Sequence, residues 1–385
     1  MTGTHKRERK IRAHTKRPRP SISQVNMVLL LDGGVGHTWK KRHGDASFLG
    51  GALACEADPD GVAAVHEEFY KAGADIATTN SFVATPHHAG DRALPLVTAA
   101  ARCARAAALR NVQPLPAMRL VAGSLPPLGE CYAVRRDQSN EDVQVYEQLA
   151  FALGDEKVDV LIAETLTHSS EAANIITGVK MASIRRGYRV PLWLVFTLAD
   201  DTTARLRGGE RLSVAIQRAL DAADGTGVLL AGVGVNCCAP DAIDAALQDV
   251  VDAVAGREQA NTSKRPYEVI AYANAFERTT SEWLRSEDRP DCCSRPCVGR
   301  AGEYVDGVMT PEAYAKRAAA WVRMGATVVG GCCGTTPAHT AACRVLLTRQ
   351  RRQSRIFGYL TLLFLAVALL AAALGPARWS LLLAR

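Results

Sequence analysis

The chain has 385 residues, of which 48% are apolar and 22% charged, a globular composition that excludes a fibrous or wholly disordered protein. Its net charge of +7 sits at the ends: residues 1–20 carry eight Lys or Arg against one Glu, and Arg349, Arg351, Arg352 and Arg355 form a second cluster, so no nucleic-acid surface is expected on the folded part. Eleven cysteines without a secretory apolar segment point to a reducing compartment and argue against a disulfide scaffold.

Residues 1–24 form a basic arm. Its lack of apolar side chains predicts a solvated, disordered tail, with membrane contact, RNA contact or targeting as alternatives. From 25 to 348 short β-rich runs alternate with helical spacing. The runs 28–32, 75–80, 120–124, 158–164, 192–197, 227–236, 268–273 and 327–331 read as strands. Stretches such as 61–71, 92–111, 141–153, 170–186, 211–223, 240–254, 311–324 and 337–349 read as helices. Eight βα repeats predict one (β/α)8 TIM barrel. An open doubly wound sheet is the alternative, but Gly33-Gly34-Val35-Gly36 has the wrong spacing for a dinucleotide fingerprint.

Two regions depart from the repeat. Residues 275–309 form a long loop holding Cys292, Cys293 and Cys297, read as free or redox-active thiols in an insertion, with a second metal site as the alternative. Beyond the basic stretch 349–355, residues 356–374 run without a charge. As a helix they would span about 28 Å, close to a bilayer's hydrocarbon thickness, before a short tail at 375–385. The arginines preceding this run predict a catalytic domain on the cytoplasmic side, tail-anchored to an intracellular membrane. A buried helix packed on the barrel is the alternative.

A barrel places its active site where strands end and βα loops begin. Asp32, Thr79-Asn80, Glu164, Asn236-Cys237, Asn274 and Cys332-Cys333 all fall there. Any single cysteine reads as readily as a small buried hydrophobe. Cys237 and the Cys332-Cys333 pair, however, end the sixth and eighth strands and would meet across the rim. Three thiolates suit zinc and leave its fourth, catalytic position open. His37, His87, His88, His168 and His339 lie near βα loops without an evident partner in the sequence.

VGVNCC (233–238) and GGCCGTTPAH (330–339) resemble the two metal-binding signatures of the homocysteine S-methyltransferase family. LLLDGG (29–34), GADIATTNSF (73–82), GSLPP (123–127) and DVLIAET (159–165) resemble further blocks of it in the same order. The resemblance implies a zinc barrel over about residues 25–348, with Zn2+ on Cys237, Cys332 and Cys333 and homocysteine sulfur in the open position. It implies Glu164 as partner of the substrate ammonium and Asp32 with Gly33 at the amino-acid end, against plain capping or loop carboxylates. Thr79 and Asn236 are further expected substrate contacts. TNSFVATP (79–86) is similar to members using S-methylmethionine or S-adenosylmethionine as methyl donor. Betaine or another donor, a separate methyl-carrier protein, selenocysteine or another thiol as acceptor, and a non-catalytic, membrane-tethered zinc- or thiol-binding protein remain alternatives.

Overall fold

The computed structural model describes residues 28–45, 47–110, 119–129, 140–260, 267–277 and 302–350. The basic arm 1–24, the thiols Cys292, Cys293 and Cys297, and the apolar run 356–374 lie outside the described residues. Among those that are described, no helix is long and apolar enough to cross a membrane.

Eight parallel strands form one sheet: β1 (Leu29–Leu30), β2 (Ile76–Thr78), β3 (Leu120–Leu125), β4 (Val160–Leu166), β5 (Leu192–Phe196), β6 (Leu230–Asn236), β7 (Glu268–Ala273) and β10 (Val328–Gly331). Each pairs with its sequence neighbour, β7 with β10 and β10 with β1, and a parallel bridge from Leu31 to Ile76 joins β1 to β2. The expected (β/α)8 barrel is therefore the observed architecture. The sixth strand begins at Leu230 rather than 227, because Gly227 turns the chain with a φ of 77°.

Successive strand residues face opposite sides, so each strand supplies the barrel interior and the surrounding helix layer in turn. Leu31, Ile76, Val160, Ile162, Trp193 and Ile270 fill the interior. On the same alternating faces, towards the strand ends, stand Ser124, Glu164, Tyr272 and Cys332. The apolar floor thus gives way to polar groups at one end.

The helices carry ordinary stop and start chemistry. Asp58 caps Pro59–Ala72 by accepting the Gly61 N–H at 3.0 Å, with Pro59 in the first turn, and Gly73 ends that helix in the left-handed region at φ 109°, which glycine enters freely. Thr310 caps Pro311–Met324 in the same way. Two helices, Val35–His43 and Gly50–Ala57, occupy the stretch between the first strand and the helix expected at 61–71. The first buries only Val35 and Thr38 and gathers Lys40, Lys41, Arg42 and His43 in its last turn, where the helix dipole favours cations; so short an apolar face leaves little periodicity. Within the predicted loop 275–309, β8 (Tyr304–Val305) and β9 (Val308–Met309) form a hairpin, pinned by the Met309 N–H donating to Ala275 O at 2.7 Å.

Candidate active site

Cys237 follows β6 and Cys332-Cys333 follow β10, and β7 lies between those strands. Backbone bonds to β7 set both turns: Cys237 N–H donates to Tyr272 O at 3.1 Å, Cys332 N–H to Ala273 O at 3.0 Å, and Ala275 N–H to Cys333 O at 2.8 Å. The Sγ atoms of Cys237, Cys332 and Cys333 consequently lie within 4.8 Å of one another. Sulfurs on a zinc tetrahedron with bonds of about 2.3 Å stand about 3.8 Å apart, so a small contraction would seat such an ion. Cys332 is held well above the usual thiol range, first by hydrogen bonding with Cys237 and Cys333, then by burial. A cluster that resists ionisation on its own becomes a thiolate site once a divalent cation is present. Cys238 faces the other way, into the core around the barrel, and burial pushes its thiol up to about 12.

The tight rim rests on glycines. A Cβ at Gly33 or Gly331 would run into the Thr335 hydroxyl, which donates to Cys332 O at 2.7 Å. Cys237 itself has a φ of 53°, a left-handed conformation that costs a non-glycine residue on the order of 1–3 kcal/mol. Its carbonyl accepts from Thr197 Oγ1 at 3.2 Å and from Arg207 Nη2 at 2.8 Å.

Glu164 ends an inward face of β4 and is 7% exposed. Ser124 Oγ donates to its Oε1 at 2.5 Å and Tyr272 Oη to its Oε2 at 2.9 Å. Burial pushes this carboxyl up to about 7; the two hydrogen bonds act against that rise, while Cys237 and Asp32 reinforce it. Asp32 is buried at the end of β1. Its Oδ2 accepts from Thr78 N–H at 2.9 Å and lies 3.8 Å from His66 Nδ1. Burial raises its pKa, and His66 and Thr78 oppose the rise.

The other expected contacts are engaged within the protein. Thr79 Oγ1 accepts from Ser124 N–H at 2.9 Å and shares a hydrogen bond with Ser81 Oγ at 2.9 Å. Asn236 binds Thr165 at both ends of its amide, accepting from the backbone N–H at 2.8 Å and donating to Oγ1 at 3.0 Å. His339 has partners the sequence does not reveal: Nδ1 accepts from Thr336 N–H at 3.1 Å and Nε2 donates to Met309 O at 2.7 Å, tying the helix 337–350 to the hairpin.

A sequence model described as homocysteine S-methyltransferase matches residues 29–347. The chain belongs to the homocysteine S-methyltransferase family. It is 28% identical over 341 residues to the homocysteine S-methyltransferase of Escherichia coli, covering 82% of this chain and 94% of that protein. It is 27% identical over 318 residues to methionine synthase of Mycobacterium tuberculosis, covering 79% of this chain but only 23% of that protein's length. Among solved structures it is similar to the E. coli homocysteine methyltransferase in a metallated form, at 25% identity with a TM-score of 0.60, covering 83% of this chain and 96% of that one. The apo form of the same protein gives a TM-score of 0.56.

In this member of the family, Ser124, Tyr272, His66, Thr197 and Arg207 escape a sequence reading although each touches an expected site residue. Ser124 has a signal, lying inside the GSLPP block. Tyr272 reads as strand core, and Arg207 as one polar residue in a loop rich in them.

Proposed function

We propose that this chain transfers a methyl group from a small sulfonium donor, S-methylmethionine or S-adenosylmethionine, to homocysteine, giving methionine. The observation that carries the reading is the convergence of three thiols within 4.8 Å at the rim that also holds the buried Glu164. Cys237, Cys332 and Cys333 would hold zinc, which supplies a substrate sulfur kept as thiolate at neutral pH. Glu164, with Ser124 and Tyr272 fixing its oxygens, offers its charge to the substrate ammonium. Asp32, whose Oδ2 accepts from Thr78 N–H, would contact the amino-acid end with Gly33 beside it. Thr79 and Asn236 act one step back, by holding Ser124 and Thr165.

Transfer forms the new carbon–sulfur bond as the donor's carbon–sulfur bond breaks. Both electrons of the broken bond stay with the departing thioether, which leaves neutral, and the acceptor's thiol proton goes to solvent. No general acid is required, so alignment supplies most of what the chain's own residues contribute. The test is methionine formation from homocysteine with S-methylmethionine, S-adenosylmethionine or betaine supplied singly. Turnover with a sulfonium donor is expected; none with any of the three overturns the reading.

We further infer from the sequence alone that 356–374 tethers the enzyme to a membrane with the barrel on the cytoplasmic side. The support is its uncharged length and the arginines that precede it. Fractionation of cells expressing the full chain and a form truncated after Arg355 tests this. Equal release of the two by carbonate means that the run is not an anchor.

A further inference from the structure

We propose that Arg207 is a positioning residue for Cys237, holding the strained turn that aims this thiol at Cys332 and Cys333. The inference rests on the three-thiolate reading above and concerns a residue about thirty positions away in the sequence.

Cys237 leaves β6 in a left-handed conformation, φ 53°, which L-residues avoid. Nothing in its own side chain favours that backbone, so its neighbours must hold it. Three neighbours do. Its N–H donates to Tyr272 O at 3.1 Å, its carbonyl accepts from Thr197 Oγ1 at 3.2 Å, and the same carbonyl accepts from Arg207 Nη2 at 2.8 Å. The first two partners belong to neighbouring strand segments and come with the barrel. Arg207 does not: it reaches in from the connection after β5, which folds back on itself through bridges Leu198–Leu206 and Arg205–Arg211.

That connection is built to deliver the guanidinium. Arg207 N–H donates to Thr197 O at 3.3 Å, the side chain is only 8% exposed, and Asp200, 5% exposed, stands 4.0 Å from it. Asp200 Oδ1 also accepts from Ala239 N–H at 3.3 Å, so the pair grips the turn on both sides of Cys238, just after Cys237. Taking an arginine out of water is costly unless its charge is paired, and Asp200 supplies that pairing while the guanidinium also donates to the Cys237 carbonyl. A charge-assisted bond also holds the carbonyl more firmly than a neutral donor would. Groups that orient a metal ligand from behind commonly change metal affinity by about 10- to 100-fold when removed.

The experiment measures zinc affinity of the intact protein by competition with a chromogenic chelator, without substrate, and records the thiolate-to-metal charge-transfer band of the cobalt(II) form. Wild type, Arg207→Met, Arg207→Lys and Thr197→Val are compared, with thermal midpoints taken alongside. Arg207→Met is expected to lose about 10- to 100-fold in zinc affinity, to weaken the charge-transfer band, and to lower the thermal midpoint because Asp200 loses its ion partner; Arg207→Lys, which keeps the charge, is expected between it and wild type in affinity and band. Should Arg207→Met not fold, the Arg207→Lys band and affinity decide. Undiminished affinity and band in the Arg207 variants of a metal-binding wild type overturn the positioning role and leave the three-thiolate reading intact. A wild type showing no three-thiolate band overturns that reading, and this inference with it.

Discussion

Tyr272 donates its phenolic hydrogen to Glu164 across the barrel interior at 2.9 Å, and 108 residues of sequence separate the two. With Ser124 on the other oxygen at 2.5 Å, the carboxylate is fixed in one orientation. A bond to a charged group contributes about 1.5–3 kcal/mol, which corresponds to roughly a 10- to 100-fold effect on binding. Tyr272→Phe should therefore raise the homocysteine KM by at least tenfold while kcat and zinc content stay near wild type. Glu164→Ala should raise it further, still with zinc bound, and should respond less than wild type to removal of the substrate's amino group. An unchanged KM in both variants would place the ammonium elsewhere.

The same carboxylate makes stability depend on pH. Its folded value of about 7 lies above the ordinary 4.5 because it is buried. Between those values the folded state binds more protons than the unfolded one, so stability falls as pH rises. The contribution is fully present below 4.5 and is lost as pH passes through about 7, on the order of 3 kcal/mol. In metal-free protein, Glu164→Gln should thus gain stability over wild type at pH 8 and show little difference at pH 4.5. Chemical denaturation at the two values checks it; an equal difference at both would mean that the carboxyl is not the titrating group.

The metal prediction separates the cysteines. Cys237→Ser, Cys332→Ser and Cys333→Ser should each lose most bound zinc and all measurable turnover. Cys238→Ser, in the core, should retain zinc and lose some stability, and Cys292→Ser and Cys297→Ser should leave turnover largely intact. Elemental analysis beside activity decides the set. Full activity in any of the first three, with normal folding, removes the three-thiolate centre.

What could be read in the sequence follows from what each residue's neighbours in sequence disclose. Cys237, Cys332 and Cys333 were legible because cysteine doublets at strand ends are chemically odd, and Glu164 because a carboxylate ends an apolar strand. Tyr272 was not, since a tyrosine inside EVIAYA looks like core until β7 is placed in register with β6, Asn236 beside Tyr272. Asn236 and Thr79 stand out in the sequence by their place at the rim, and three dimensions add the hydrogen bonds they make to Thr165 and Ser124. The helices Val35–His43 and Gly50–Ala57 leave no clear period in the sequence, the first because it buries only Val35 and Thr38, the second because its eight residues are small or apolar on nearly every side.

His66 supplies the last test. It lies on the helix Pro59–Ala72, wholly buried, with neither ring nitrogen hydrogen-bonded among the described residues, and its Nδ1 faces Asp32 Oδ2 at 3.8 Å. An unsatisfied buried donor or acceptor costs about 1–3 kcal/mol, so a plain core position would be better served by leucine. The retained imidazole is explained if Asp32 needs it: catalytic-site contacts are often long before substrate binds and tighten afterwards. His66→Leu should accordingly keep or raise the thermal midpoint while raising the homocysteine KM severalfold, a gain in stability coupled to a loss in binding. His66→Asn, whose amide nitrogen can stand near the Nδ1 position, should keep most of the wild-type KM. In an Asp32→Asn background the effect of His66→Leu should vanish, because the two residues act through one contact. A wild-type KM in His66→Leu, or an undiminished effect in the Asp32→Asn background, would make His66 a core residue and nothing more.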